Sequence, residues 1–228
     1  MGLKATKKNW LGLPDVFADI NYFNDNLSNE TIPVTSPTNP LLTIFSYGNA
    51  TLKGADFTFD ATWSRRWSTF ANAEVLRGYY NSYYSTADNQ SYNGAPVSSS
   101  PNLTVNAGVT YKRYVSPVGL NLAATLFDQY YGQQYLFNNN TGAPSHQTLG
   151  GYNVVNVLLT AKTRKLNNTI PGVKDVAFTV SVVNLLNRKY NSTAEITGGG
   201  YFNTAASGYV IVNPALPRAI YGSVSVTF

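Results

Sequence analysis

The side chains that most enzyme chemistry requires are nearly absent from this sequence. Cysteine does not occur and His146 is the only histidine. That excludes disulfides, thiolate metal sites and cysteine nucleophiles, and it leaves too little imidazole for a metal cage or a catalytic triad. Neither a metal nor a cofactor is expected. Asp56, Asp60, Asn72 and Glu74 recur at even spacing. Paired carboxylates can serve as general acid and base, but any hydrated wall needs such charges, and that plainer role is the expected one. The glycine run at 198–200 lacks the flanking strand and helix of a phosphate loop.

More suggestive are the aromatic residues in Asn-, Ser- and Gly-rich stretches: Tyr83, Tyr84, Tyr92, Tyr135, Tyr201, Phe202 and Tyr209, with His146 and Arg77 beside them. Aromatic faces and a guanidinium can stack on, or hydrogen-bond, flat anionic ligands. The same residues suit loop packing and interfacial anchoring, which is the commoner use of each one singly. Arg77 shares its parity with Ala71, Ala73 and Val75, so its stem should lie along an apolar face with the charge at the rim.

Elements that could carry these loops follow from composition and pattern. The 228 residues are 43% hydrophobic and 12% charged, against about 25% charged in ordinary soluble domains. The net charge of +5 is thinly spread and gives no reason to expect nucleic acid. No apolar run is long enough for a transmembrane helix, and MGLKATKKNWLGLP has no secretory apolar core. Neither absence bears on β-barrels, which cross membranes on alternating strands.

Alternation is everywhere. Leu103, Val105, Ala107, Val109 and Tyr111 share one face, and Thr104, Asn106, Gly108, Thr110 and Lys112 the other. Phe57, Phe59, Ala61 and Trp63 oppose Asp56, Thr58, Asp60 and Thr62 in the same way. The pattern predicts nine strands, at 2–9, 14–25, 48–63, 67–80, 102–114, 119–131, 151–164, 173–186 and 217–228. Most exceed the usual 5–6 residues and reach the roughly 9–11 that a tilted membrane strand needs. Connections between them alternate short and long, the long ones being 26–47, 81–101, 132–150 and 187–216. An outer-membrane barrel has this asymmetry, with tight periplasmic turns and extended outer loops. Trp10, Trp63, Trp67, Tyr79, Tyr80, Tyr130, Tyr131 and Tyr221 lie near strand ends, as an aromatic girdle would.

With that pattern in place, the segments YGNATLKGADFTFDATW, GGYNVVNVLLTAK, VAFTVSVVNLLNRKYNS and PRAIYGSVSVTF resemble, in order and spacing, the C-terminal barrel portion of TonB-dependent outer-membrane receptors. The resemblance implies an all-β, antiparallel transmembrane barrel segment, part of a wall of about 22 strands. It implies residues 1–228 as one C-terminal barrel piece with the plug absent. The expected function is outer-membrane uptake of a ferric siderophore or similar chelate, with TonB acting only through the missing plug. Bilayer lipid and an extracellular small ligand are the implied partners. So is the barrel-assembly machinery, which would read Ile220, Val224, Val226 and the terminal Phe228.

Two other readings fit parts of the pattern. One is a self-contained eight-strand barrel from strands two to nine, serving as an adhesin or structural protein. The other is a secreted carbohydrate-binding sandwich that buries its apolar faces against each other. An enzyme is the least supported class.

Overall fold

In the computed structural model, residues 1–10, 13–36, 38–39, 41–116, 119–139, 141–163, 170–197 and 209–228 are described. Nine long strands form one antiparallel sheet in sequence order: β1 (Gly2–Trp10), β2 (Leu13–Thr35), β3 (Thr43–Thr62), β4 (Trp67–Ser85), β6 (Leu103–Val115), β7 (Leu120–Tyr131), β10 (Tyr152–Thr163), β11 (Asp175–Val183) and β14 (Ala219–Thr227). The short β5 (Gln90–Ser91) pairs with β4. All nine strands expected from alternation are present, and the sheet is an open wall rather than a closed cylinder.

Register converts the alternation into two faces. Asn21, Asp56, Glu74, Thr104 and Tyr131 pair in turn across β2, β3, β4, β6 and β7. The adjacent row is Ile20, Phe57, Ala73, Val105 and Tyr130. One face is thus largely polar and the other largely apolar, because a side chain's face changes with every residue; Asp128, between Ala107 and Val155, and Phe70 and Phe127, on either side of Gly108, are exceptions. The apolar face is bare. Leu126 is 46% exposed, Phe178 51% and Val224 62%, and no second sheet covers them among the described residues. A soluble sandwich would bury these side chains, so that reading is overturned. The eight-strand barrel fails as well, since β2 is flanked on both sides by β1 and β3 and has no edge to offer β14.

The expected loop at 26–47 is mostly strand. Beyond a bulge between Leu27 and Glu30, β2 and β3 continue to pair as far as Thr35 and Thr43. Asn29 takes φ 58° there, and its N–H donates to Asn49 Oδ1 at 2.9 Å. One bulged residue restores the register after the polar Asn-Leu-Ser-Asn stretch breaks the alternation. As a result β2, β3 and β4 reach 23, 20 and 19 residues. They rise well past the 12 residues of β7 and β10.

Two other long connections also fold. β8 (Gln134–Asn138), β9 (Ala143–Leu149), β12 (Asn191–Thr197) and β13 (Tyr209–Pro214) make a second sheet in the order β13-β12-β8-β9. It is held by Leu136, Ala194 and Ile196, with Leu149 against them. Burying Leu136 and Ile196 is worth roughly 1.5–3 kcal/mol each.

Motifs within the sequence have structural causes. In NATLKGADF, Gly54 lies where a Cβ would stand 2.0 Å from the Val75 carbonyl and 2.7 Å from the Phe23 ring, so only glycine permits that crossing. In VVNLLNRKY, Asn184 is buried with φ 54°. Its N–H donates to Asn156 Oδ1 at 3.0 Å, its Nδ2 to the Arg188 carbonyl at 2.9 Å, and its Oδ1 accepts from the Arg188 N–H at 2.8 Å. Asn187 Oδ1 in turn accepts from the Arg218 N–H at 3.0 Å. The two asparagines thereby tie β10, the end of β11 and the approach to β14 together. Asn184→Ala strands buried backbone groups and should lower stability by about 1–3 kcal/mol. Denaturant titration of the refolded protein measures it, and a loss under 0.5 kcal/mol would contradict this role.

Candidate functional site

Loop-side ends of the long strands carry the side chains expected to meet a ligand, and the structure sorts them into two groups. Residues 92–102 run back along β4: the Tyr80 N–H donates to the Ala95 carbonyl at 2.9 Å, the Val97 N–H to the Gly78 carbonyl at 3.1 Å and the Leu76 N–H to the Asn102 carbonyl at 3.0 Å. This strap, with β8 and β9 beyond it, leaves a groove of about 460 Å³. Arg77, Tyr135 and His146 line it together, joined by Tyr79, Ser100 and Asn102. Arg77 and His146 are exposed, and Tyr135 is 37% exposed. Among the described residues, no carboxylate lines the groove. Its donors are a guanidinium, two phenols, an imidazole, a hydroxyl and an amide. Such a set suits an anionic, oxygen-rich guest. Arg77 also stands opposite Lys53 in register, and Lys53 Nζ lies 5.3 Å over the Tyr79 ring.

Tyr83 and Tyr92 belong to a packed cluster instead. Ala50, Tyr80, Tyr83 and Ala143 form it, with Ile32, Tyr92, Val97 and Phe137 against them. Tyr83 is 1% exposed, and its hydroxyl donates to the Gly142 carbonyl at 2.6 Å. Its ring meets Tyr80 at 4.8 Å and Tyr92 at 6.4 Å. Tyr83 therefore presents no face to a ligand in this arrangement; it pins the turn between β8 and β9 to β4. The Tyr92 hydroxyl donates to the Asp88 carboxylate. Burial, then that carboxylate, pushes the Tyr92 phenol up to about 12. Burial likewise raises Tyr83.

Tyr84 is 44% exposed and its hydroxyl donates to Asn89 Oδ1 at 3.1 Å. Tyr209 begins β13 and is 58% exposed, away from the groove lining. Tyr201 and Phe202 lie outside the described residues. Sequence alone does not single out Tyr79, Ser100 and Asn102: Tyr79 reads as a girdle residue, and Ser100 and Asn102 are two among many Ser and Asn residues at the loop side. At the chain end, Ile220, Val224, Val226 and Phe228 are exposed at 70%, 62%, 43% and 75%. The first three pair with Val182, Phe178 and Val176, on the apolar face.

On the polar face of the wall, Asp56 stands opposite Glu74 and Asn72 opposite Asn106. Asn106 Oδ1 is buried without a hydrogen-bond partner among the described residues. Among the described residues, no three His, Asp or Glu side chains are grouped to hold a metal ion.

A family model described as TonB dependent receptor-like, beta-barrel, matches residues 2–185. Among curated proteins, none matches the sequence. Solved structures share the fold. The ferripyoverdine receptor of the outer membrane of Pseudomonas aeruginosa is 16% identical with a TM-score of 0.54, over 98% of this chain and 26% of that one. The ferric yersiniabactin uptake receptor FyuA from Yersinia pestis is 15% identical with a TM-score of 0.53, over 100% of this chain and 37% of that one. The chain thus spans between a quarter and two-fifths of the length of these structures.

Raised phenol values predict a pH effect. Tyr92 keeps its proton longer folded than unfolded, so its contribution is complete below about pH 10 and is lost as pH rises toward about 12. Tyr92→Phe should flatten that alkaline loss, as read by denaturation midpoints between pH 9 and roughly 12. An unchanged slope would show that the Asp88 contact does not form.

Proposed function

Because the chain belongs to the TonB-dependent receptor-like β-barrel family, we propose that it forms the C-terminal stretch of barrel wall, with its outer loops, of an outer-membrane uptake receptor. The family is one of receptors, not enzymes. The observation that carries the reading is the two-faced wall whose long connections all rise from one end. Short turns such as Ser64–Arg66 close the other end, where Ser64 Oγ accepts from the Arg66 and Trp67 N–H groups at 3.2 Å. The strands of the long sheet from β6 onward, of 9–13 residues, match a bilayer crossing.

A ferric siderophore or a similar anionic chelate is the ligand this reading assigns. In support, the loop-side groove offers donors and no competing carboxylate. Capture would use Arg77 as the anion contact, with Tyr135 and His146 as hydrogen-bonding and stacking partners. Energy would reach the site from TonB through a plug held against the polar face. The apolar ridge of β14 ending in Phe228 would be the signal that the barrel-assembly machinery reads.

Two measurements test these assignments. Arg substitution on the apolar face at Leu126, near mid-strand, should destabilise the barrel in lipid by about 2–4 kcal/mol, while Arg at the neighbouring Thr125 on the polar face should cost far less. Equal costs would refute a bilayer on the apolar side. For the ligand, the full-length receptor would be titrated with a panel of ferric chelates. Arg77→Gln should weaken the bound one by about tenfold, because a charge-assisted contact is lost. An unchanged affinity would move the anion contact elsewhere.

A further inference from the structure

The apolar face is not uniformly ridged. Two neighbouring register rows cross four strands near the short-turn end. One runs Tyr111, Ala124, Leu159, Val180 and the other Arg113, Leu122, Ala161, Phe178. Alanine falls at an interior position of each row. The small side chains leave a furrow between Tyr111, Leu122, Leu159 and Phe178, a groove of about 450 Å³.

Arg113 closes the furrow on the side of the short turns and is exposed. It has no carboxylate partner among the described residues, where the one ion pair is Lys162 to Asp175 at 3.1 Å. Lys112 and Lys162 lie on the opposite, polar face, where a second groove also takes in Arg65 and Arg66. The Lys112 N–H donates to the Arg66 carbonyl at 2.7 Å, which holds the Arg65–Arg66 turn against the end of β6. Beside the furrow, Trp67 packs on Tyr111 with ring centroids 4.7 Å apart. Aromatic rings of this kind settle at the headgroup level of a bilayer.

We propose that this furrow binds an anionic glycerophospholipid of the periplasmic leaflet. One acyl chain lies over Ala124 and Ala161, and the phosphate meets Arg113. The assignment rests on the membrane reading above and adds to it a defined lipid with a defined charge. Charge complementarity selects the occupant. An apolar trough alone would take any acyl chain, but the exposed Arg113 guanidinium at its rim favours a headgroup with net negative charge.

Native mass spectrometry of the full-length protein in mild detergent, with phosphatidylglycerol and phosphatidylethanolamine of identical chains, tests this. The wild type should retain phosphatidylglycerol about fivefold over phosphatidylethanolamine, the selectivity expected of one basic residue at a bilayer surface. Arg113→Gln should bring the ratio near one without reducing total lipid, and Arg113→Lys should keep the preference. The Ala124→Leu, Ala161→Leu pair should reduce retention of both lipids. Equal retention by the wild type, or a preference that survives Arg113→Gln, would overturn the proposal. Failure of the membrane reading looks different: the wild type would then hold neither lipid and would show no heat-modifiable mobility on gels.

Discussion

Every other feature of this wall depends on backbone hydrogen bonding in a medium without water. A bilayer core offers no partner to a free N–H or C=O, so each must be paired to a neighbouring strand. From β2 to β11 the wall meets that demand on both sides of every strand. Only β1 and β14, at its two ends, have one neighbour each among the described residues. Such edges need further strands before the sheet can stand in lipid. Family membership and the partial overlap with solved receptors fit that requirement.

Pairing then fixes the register, and register fixes chemistry. With side chains alternating at every residue, one set of pairings places Ile20, Phe57, Val105 and Tyr130 on one face and Asn21, Asp56, Thr104 and Tyr131 on the other. A slip of one residue would turn Asp56 and Asp60 toward lipid, which selects against it. Departures from the repeat sit at the loop side, where water can satisfy the backbone. The bulge at Asn29, the knot around Asn184 and the tyrosine cluster under the β8–β9 turn are all there. The groove lined by Arg77, Tyr135 and His146 lies at the same end.

How much of this was legible in sequence follows from the same physics. Wall strands were readable because a half-buried strand must alternate, and Leu103 to Tyr111 could hardly be anything else. Extension of β2 and β3 beyond the bilayer was not readable. One left-handed asparagine carries the register across a polar stretch, and its N–H finds Asn49, distant in sequence. The small sheet of β8, β9, β12 and β13 was hidden for another reason: its core is only Leu136, Ala194 and Ile196, from two separate loops. Of the ligand candidates, position in a loop could not separate Tyr83, which is packed away, from Tyr135, which lines the groove with Arg77 and His146. That distinction is tertiary.

The central claim is that the apolar face meets lipid and the polar face does not. The absence of cysteine from these residues allows single nitroxide labels to be placed one by one from Leu103 to Tyr111 in the full-length protein reconstituted in bilayers. Collision with oxygen, which concentrates in lipid, would be compared with collision with a polar nickel chelate. The account predicts strict alternation, oxygen dominating at Val105, Ala107 and Val109 and the nickel chelate or neither reagent at Thr104, Asn106 and Thr110. Uniform accessibility, or alternation of opposite phase, would contradict it.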